Sequence, residues 1–221
     1  MEKKAFPKKI DNAAASPPKL PGISGKIFSI VKFILGVCLL PFVYSFSLAF
    51  LNEFSLIEKP LQGYFWAGVI SFIILYLFIY EPAVIYRNGH RLLEIVFRFF
   101  TPLVRVAPYV LPIYAIIIFL GYILCSLIFK SGQLINYFLF LFGFSLSLHL
   151  VFSSQSVRSK QEDFLKANYI FGFSLVYLIN LLFLAFALNL IFKEFSFVKF
   201  FNQSFQVAKS LFGVLFRQLF L

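Results

Sequence analysis

Charge is what this sequence has least of. Only 13% of its 221 residues are Asp, Glu, Lys or Arg, about half the share in a soluble domain. A soluble globule of this length needs far more polar surface to cover its core. The composition therefore excludes an ordinary cytosolic domain. It excludes a disordered chain as well, because 61% of the residues are apolar and 34 of them are Phe. Cysteine is nearly absent: Cys38 and Cys125 both fall inside apolar stretches, so no disulfide framework is implied. Acidic residues number nine against 20 Lys and Arg, a formal net charge of +11. The basic residues lie between apolar runs, where membrane topology places them, and this argues against nucleic acid as the partner. Glu2 to Lys26 is polar and lacks the apolar core of a secretory leader.

What the chain does have is apolar length. A helix needs about 20 apolar residues to cross about 30 Å of hydrocarbon. There is room for five or six such spans and no separate soluble domain. The expected fold class is all-α, a polytopic membrane helical bundle. Residues 1–25, with Lys3, Lys4, Lys8, Lys9 and Lys19 among four prolines, read as a disordered basic tail that attracts anionic lipid. Spans are predicted at 26–51, 64–80, 107–129, 134–152 and 169–192. Pro41 is expected to kink the first. Tyr64 and Trp66 at one end of the second, and Tyr80 at the other, suit an aromatic belt.

Residues 195–221 differ. Ser196, Lys199, Gln203, Gln206, Ser210, Gly213 and Arg217 recur every three or four positions among Phe, Val and Leu. That is an amphipathic helix, read as lying on the membrane interface. A sixth, polar-striped span packed against the bundle is the competing arrangement.

Lys and Arg placement sets the orientation. With the N-terminus inside, the inner side receives the tail, then Arg87, Arg91, Arg98 and Arg105, then Arg158, Lys160 and Lys166. The outer loops receive only Lys59, Lys130 and Lys193 before the last helix. The N-terminus is expected to be cytoplasmic.

Residues 81–106 hold most of the chemistry. Arg87, Arg91, Glu94, Arg98, Thr101 and Arg105 step by three or four along one helical face. The plain reading is an interfacial amphipathic helix, with Glu94 pairing to Arg91 and Arg98. His90 and Glu94, four apart, share a face and form half of a metal-binding pattern. His149 falls near the inner end of the fourth span, and a titratable group at that depth is a functional hypothesis. Its alternative is a neutral imidazole bonded to a helix carbonyl. Asp163 lies in Gln161-Glu162-Asp163 of an inner loop, where a solvated or helix-start carboxylate is also expected. Asn180 and Asn189 in the fifth span read as interhelical hydrogen-bonding groups, with pore lining as the lesser alternative.

The order of short motifs resembles a known group. Tyr64-Phe65-Trp66-Ala67-Gly68 comes first, then Tyr86-Arg87-Asn88-Gly89-His90. Ala107-Pro108-Tyr109 with Pro112-Ile113-Tyr114 follows, then His149-Leu150 and Gln161-Glu162-Asp163. This order, over roughly 64–200, resembles the bacterial site-2-protease-like intramembrane zinc metallopeptidases. The resemblance implies residence in a bacterial cytoplasmic membrane. In that family two His at i, i+4 bind zinc and the Glu between them is the general base. A distant Asp is the third ligand. By position, His90 matches the first His and Asp163 the distant Asp. Arg91 stands where the catalytic Glu would be, and Glu94 where the second His would be. The base is thus replaced by a cation, which also opposes a metal. Only residues 91–106 separate His90 from Ala107, so the family's embedded hairpin near the substrate is missing.

These features imply a degenerate, non-catalytic relative with no cofactor, bound in the bilayer to another membrane protein. Two alternatives stay open. One is a residual metalloenzyme holding zinc through His90, Glu94 and Asp163. The other is a small transporter or channel subunit.

Overall fold

The computed structural model describes residues 23–78, 83–96, 107, 109–128, 134–157 and 169–220. Seven helices and no strand stand among the described residues. They are α1 (Ile23–Phe54), α2 (Lys59–Phe78), α3 (Ala83–Val96), α4 (Ile113–Ile128), α5 (Leu134–Val157), α6 (Tyr169–Ile191) and α7 (Phe197–Phe220). The fold is an all-α membrane helical bundle. Four helices are long and apolar enough to cross a bilayer: Ile30–Phe54 of α1, then α2, α5 and α6. Their outward faces carry bare aliphatic and aromatic side chains such as Ile70, Ile74, Leu77 and Leu190, which water would penalise and lipid accepts.

The span expected at 107–129 is interrupted near its start. Ala107, Tyr109 and Val110 are helical, the helix breaks at Leu111 and Pro112, and α4 then runs 16 residues from Ile113, which by itself is below crossing length. Pro112 is the reason. It disfavours helical geometry at Leu111 before it and suits the first turn of a helix after it. Leu111 N–H still makes a helical bond to Ala107 O, and Ile116 N–H then bonds Pro112 O. Pro41, by contrast, sits inside α1 without ending it. Pro60 occupies the first turn of α2, where its missing N–H has no helical partner to lose.

α5 is the central helix, packed against α2, α4 and α6, with α3 touching its end. α2 and α5 run side by side in the same direction. Glycine lets their backbones touch: a Cβ on Gly68 would strike the Phe140 carbonyl, and one on Gly143 the Phe65 carbonyl. Without a hydrophobic drive between helices in lipid, such small-residue contacts are what let them pack. Aromatic rings fill the rest. Tyr122 and Phe138 lie 4.4 Å apart across α4 and α5, and Phe138 stacks on Phe142 at 5.0 Å.

α1 packs between α6 and α7. α7 runs antiparallel along it: Phe50 meets Phe195 at 5.9 Å, Phe46 meets Phe200 at 5.6 Å, and Phe42 meets Phe212 at 5.4 Å. The amphipathic C-terminal helix is therefore laid lengthwise on a spanning helix, with Phe200, Ser204 and Ala208 buried against the bundle. Its first turn is tied down by three side chains. Glu53, only 3% exposed, accepts from Ser196 N–H at 3.1 Å. Asn189 Oδ1 accepts from Phe197 N–H at 2.9 Å. Ser196 Oγ accepts from Lys199 N–H at 3.3 Å. These satisfy amide donors that a helix start leaves without partners.

Candidate functional site

Of the residues singled out in the sequence, His90, Arg91, Glu94 and His149 lie toward one end of the bundle, where α2 and α5 end and α6 begins, and Asn180 joins them from the middle of α6. The link between them is the knuckle that precedes α4, where the helix breaks at Leu111 and Pro112. Ser153 of α5 donates to the Tyr109 carbonyl. Asn180 of α6 donates from Nδ2 to the Val110 carbonyl at 3.0 Å and to Val176 O of its own helix at 2.8 Å. His149, 4% exposed, lies against the Tyr109 and Val110 carbonyls. Two polar side chains, one from each helix, thus bond two carbonyls just before the helix break at Leu111–Pro112, and His149 packs against the same pair. Among the described residues, His149 Nε2, Asn180 Oδ1 and Tyr86 Oη are buried without a hydrogen-bond partner.

α3 covers this knuckle. Gly89 permits the approach: a Cβ there would come within 2.7 Å of Ile113 and Tyr114 side-chain atoms. The next residue, His90, then meets Tyr109 edge to face, ring centroids 5.1 Å apart. Tyr86, one turn earlier, lies 6.2 Å from His90 and 6.2 Å from His149, and stacks on Phe152 at 5.4 Å. Burial pushes its phenol up to about 12. Tyr86 therefore separates the two histidines, with His90 at the surface and His149 in the interior.

His90 Nδ1 and Glu94 Oε1 are 3.1 Å apart, the i, i+4 arrangement that their spacing predicts. The expected pairing of Glu94 with Arg91 is not what forms: among the described residues, His90 is the group within ion-pair distance of Glu94. Arg91 lines a cavity of ≈ 440 Å³ together with Arg87, His90, Glu94 and Gln155. Gln155 in turn donates to the Tyr76 hydroxyl, closing α2 against α5. Arg98 and Asp163 lie outside the described residues.

As a zinc centre the described residues fit poorly. No third His, Cys, Asp or Glu joins His90 and Glu94 in a metal-binding group among them. The two donors face each other, and two guanidinium groups share the cavity. A cation there would compete with fixed positive charge in a region of reduced dielectric.

Asn189 stands apart. It is at the other end of α6, serving the start of α7 rather than this cluster. A second cavity, ≈ 290 Å³ and mostly apolar, opens between α1, α2, α5 and α6. Asn180 borders it, and Ser47 Oγ and Tyr177 Oη hydrogen-bond at 2.7 Å on its wall.

Sequence reasoning missed Ser153, Glu53 and the role of Tyr86. Ser153 follows His149 by four on the same helical face, a spacing that could have flagged it. Nothing local links Glu53 to a helix 143 positions further on.

The class is thus defined by an all-α membrane bundle with a polar, partly cationic cluster at one end. No family model matches the chain, and no curated protein or solved structure matches it.

Proposed function

We propose that this chain is a non-catalytic integral membrane protein, a scaffold or regulator that binds other membrane proteins. In this reading it is a degenerate relative of the site-2-protease-like metallopeptidases in a bacterial cytoplasmic membrane, with its N-terminus inside. The observation that carries it is the state of the helix around His90. Arg91 stands at the position of a general base, and a guanidinium stays protonated and cannot take a proton from water. Glu94, at the second ligand position, is engaged with His90 at 3.1 Å.

The other residues of the cluster support a structural role. Ser153 and Asn180 hold the knuckle before α4, His149 packs against it, and Gly89 seats α3 on it. A rigid frame whose catalytic position is replaced suits recognition better than turnover. The orientation rests on the Lys and Arg count, since Arg87 and Arg91 share the end where α6 begins.

The test is proteolysis in membranes with a panel of single-span substrates. We expect no cleavage above background, with or without added zinc. Zinc-dependent cleavage that disappears in His90→Ala would overturn the proposal.

A further inference from the structure

The outward face of α7 carries a polar stripe between exposed apolar side chains such as Val198, Phe201 and Val214. Lys199, Gln203, Gln206, Lys209, Ser210 and Arg217 are all exposed, and at about 100° per residue they occupy one side of the helix. The opposite side, through Phe200, Ser204 and Ala208, is buried on the bundle. An amphipathic helix of this kind is stable at a water boundary. Here α7 packs against α1. The contact of Phe200 with Phe46 and that of Phe212 with Phe42 bracket Gln206, Lys209 and Ser210. Those three are therefore level with the middle of the Ile30–Phe54 span. The lower reference is Gly36, where a Cβ would approach Phe171 N at the start of α6 to 2.9 Å. α7 thus lies along a helix that crosses, and presents amides and an ammonium group at the depth of hydrocarbon. Groups so placed face a partner or a polar cavity, because lipid offers them nothing.

The charge pattern specifies that partner. α7 contains three cations and no acidic residue. A second copy of the same face would set Lys209 near Lys209 in low dielectric, which is repulsive. A helix carrying a carboxylate would instead neutralise Lys209, while Gln203 and Gln206 supply both donors and acceptors beside it. Phe205 and Phe216, 58% and 61% exposed, flank the polar stripe as an apolar rim. We infer that the exposed face of α7 is the seam for a partner membrane helix that carries an Asp or Glu near its middle. This deepens the partner-binding role proposed above by naming the surface and the chemistry it selects.

The test uses the full chain reconstituted in phosphatidylcholine vesicles, with labelled poly-Leu single-span helices as probes. One probe carries a central Glu, one a central Lys, and one neither. Association is read by energy transfer. The Glu probe is expected to bind roughly three- to thirtyfold more tightly than the all-Leu probe, the range of one interhelical polar contact in a bilayer. Lys209→Leu should abolish that preference, and Lys209→Glu should transfer it to the Lys probe. Lys209 is exposed, so neither variant disturbs packing in the bundle. Equal binding of all probes overturns the inference, as does a Glu preference that survives Lys209→Leu. Self-transfer between labelled copies of the chain that is lost in Lys209→Leu would also overturn it, in favour of a dimer seam. None of these outcomes bears on the proteolysis assay, so the non-catalytic reading stands or falls separately.

Discussion

Removing the Glu53 carboxylate should release the start of α7. In the structure Glu53 Oε2 accepts the Ser196 amide at 3.1 Å while the residue is 3% exposed. Glu53→Ala leaves that amide without its acceptor, in a place where water enters poorly. A hydrogen bond to a charged group contributes about 2 kcal/mol, and an orphaned buried donor a similar penalty. The negative charge also complements the positive end of the α7 dipole, a smaller effect of about 0.3–1 kcal/mol. Taking about 2 kcal/mol as the net loss, local opening becomes roughly thirtyfold more frequent. The assay is hydrogen exchange on the protein in lipid nanodiscs, followed at the peptide covering 193–201. Glu53→Ala should accelerate exchange there by about that factor. Glu53→Gln keeps an acceptor oxygen, so its effect should be severalfold at most. Glu58→Ala, at an exposed position, should do nothing. Unchanged exchange at 193–201 in Glu53→Ala would refute the idea that this carboxylate anchors the helix.

Three further outcomes follow from the packing. Gly68→Ala and Gly143→Ala each drive a methyl into a facing carbonyl and should destabilise the bundle by about 1–3 kcal/mol, read as a lowered midpoint in thermal unfolding; Gly121→Ala, with open space around it, is the neutral control. Asn180→Leu removes the tie to the Val110 carbonyl at about 0.6–2 kcal/mol, and should raise the reactivity of a cysteine placed at Leu111 toward a water-soluble maleimide, in a background with Cys38 and Cys125 replaced. Tyr86 has its phenol raised by burial from 10.0 to about 12, so the unfolded chain loses that proton first as pH rises; stability from this group is full below pH 10 and declines between 10 and 12. Tyr86→Phe should flatten that part of the alkaline melting profile relative to wild type, and identical profiles would show that Tyr86 does not contribute.

Much of the bundle was legible in the chain. Runs of 20 or more apolar residues need no partner to be recognised, because the requirement to cross hydrocarbon is local in sequence. The His90–Glu94 pair was legible for the same reason, since residues four apart on a helix meet whatever surrounds them. Within the span expected at 107–129, hydropathy cannot see the break that Pro112 makes just before Ile113. The interior location of His149 was foreseen, but not that Tyr86 would stand between it and His90.

The sequence by itself determined that this is a helical membrane protein with a cationic end. Composition and periodicity carry that information residue by residue. Only the tertiary structure decided which carbonyls Ser153 and Asn180 hold, that Glu53 reaches the start of α7, and that α7 lies along α1 with its polar stripe outward. Those facts depend on which helices are neighbours. Neighbours in a bilayer are chosen by glycine contacts, ring packing and buried hydrogen bonds between distant residues, none of which leaves a periodic trace in the chain.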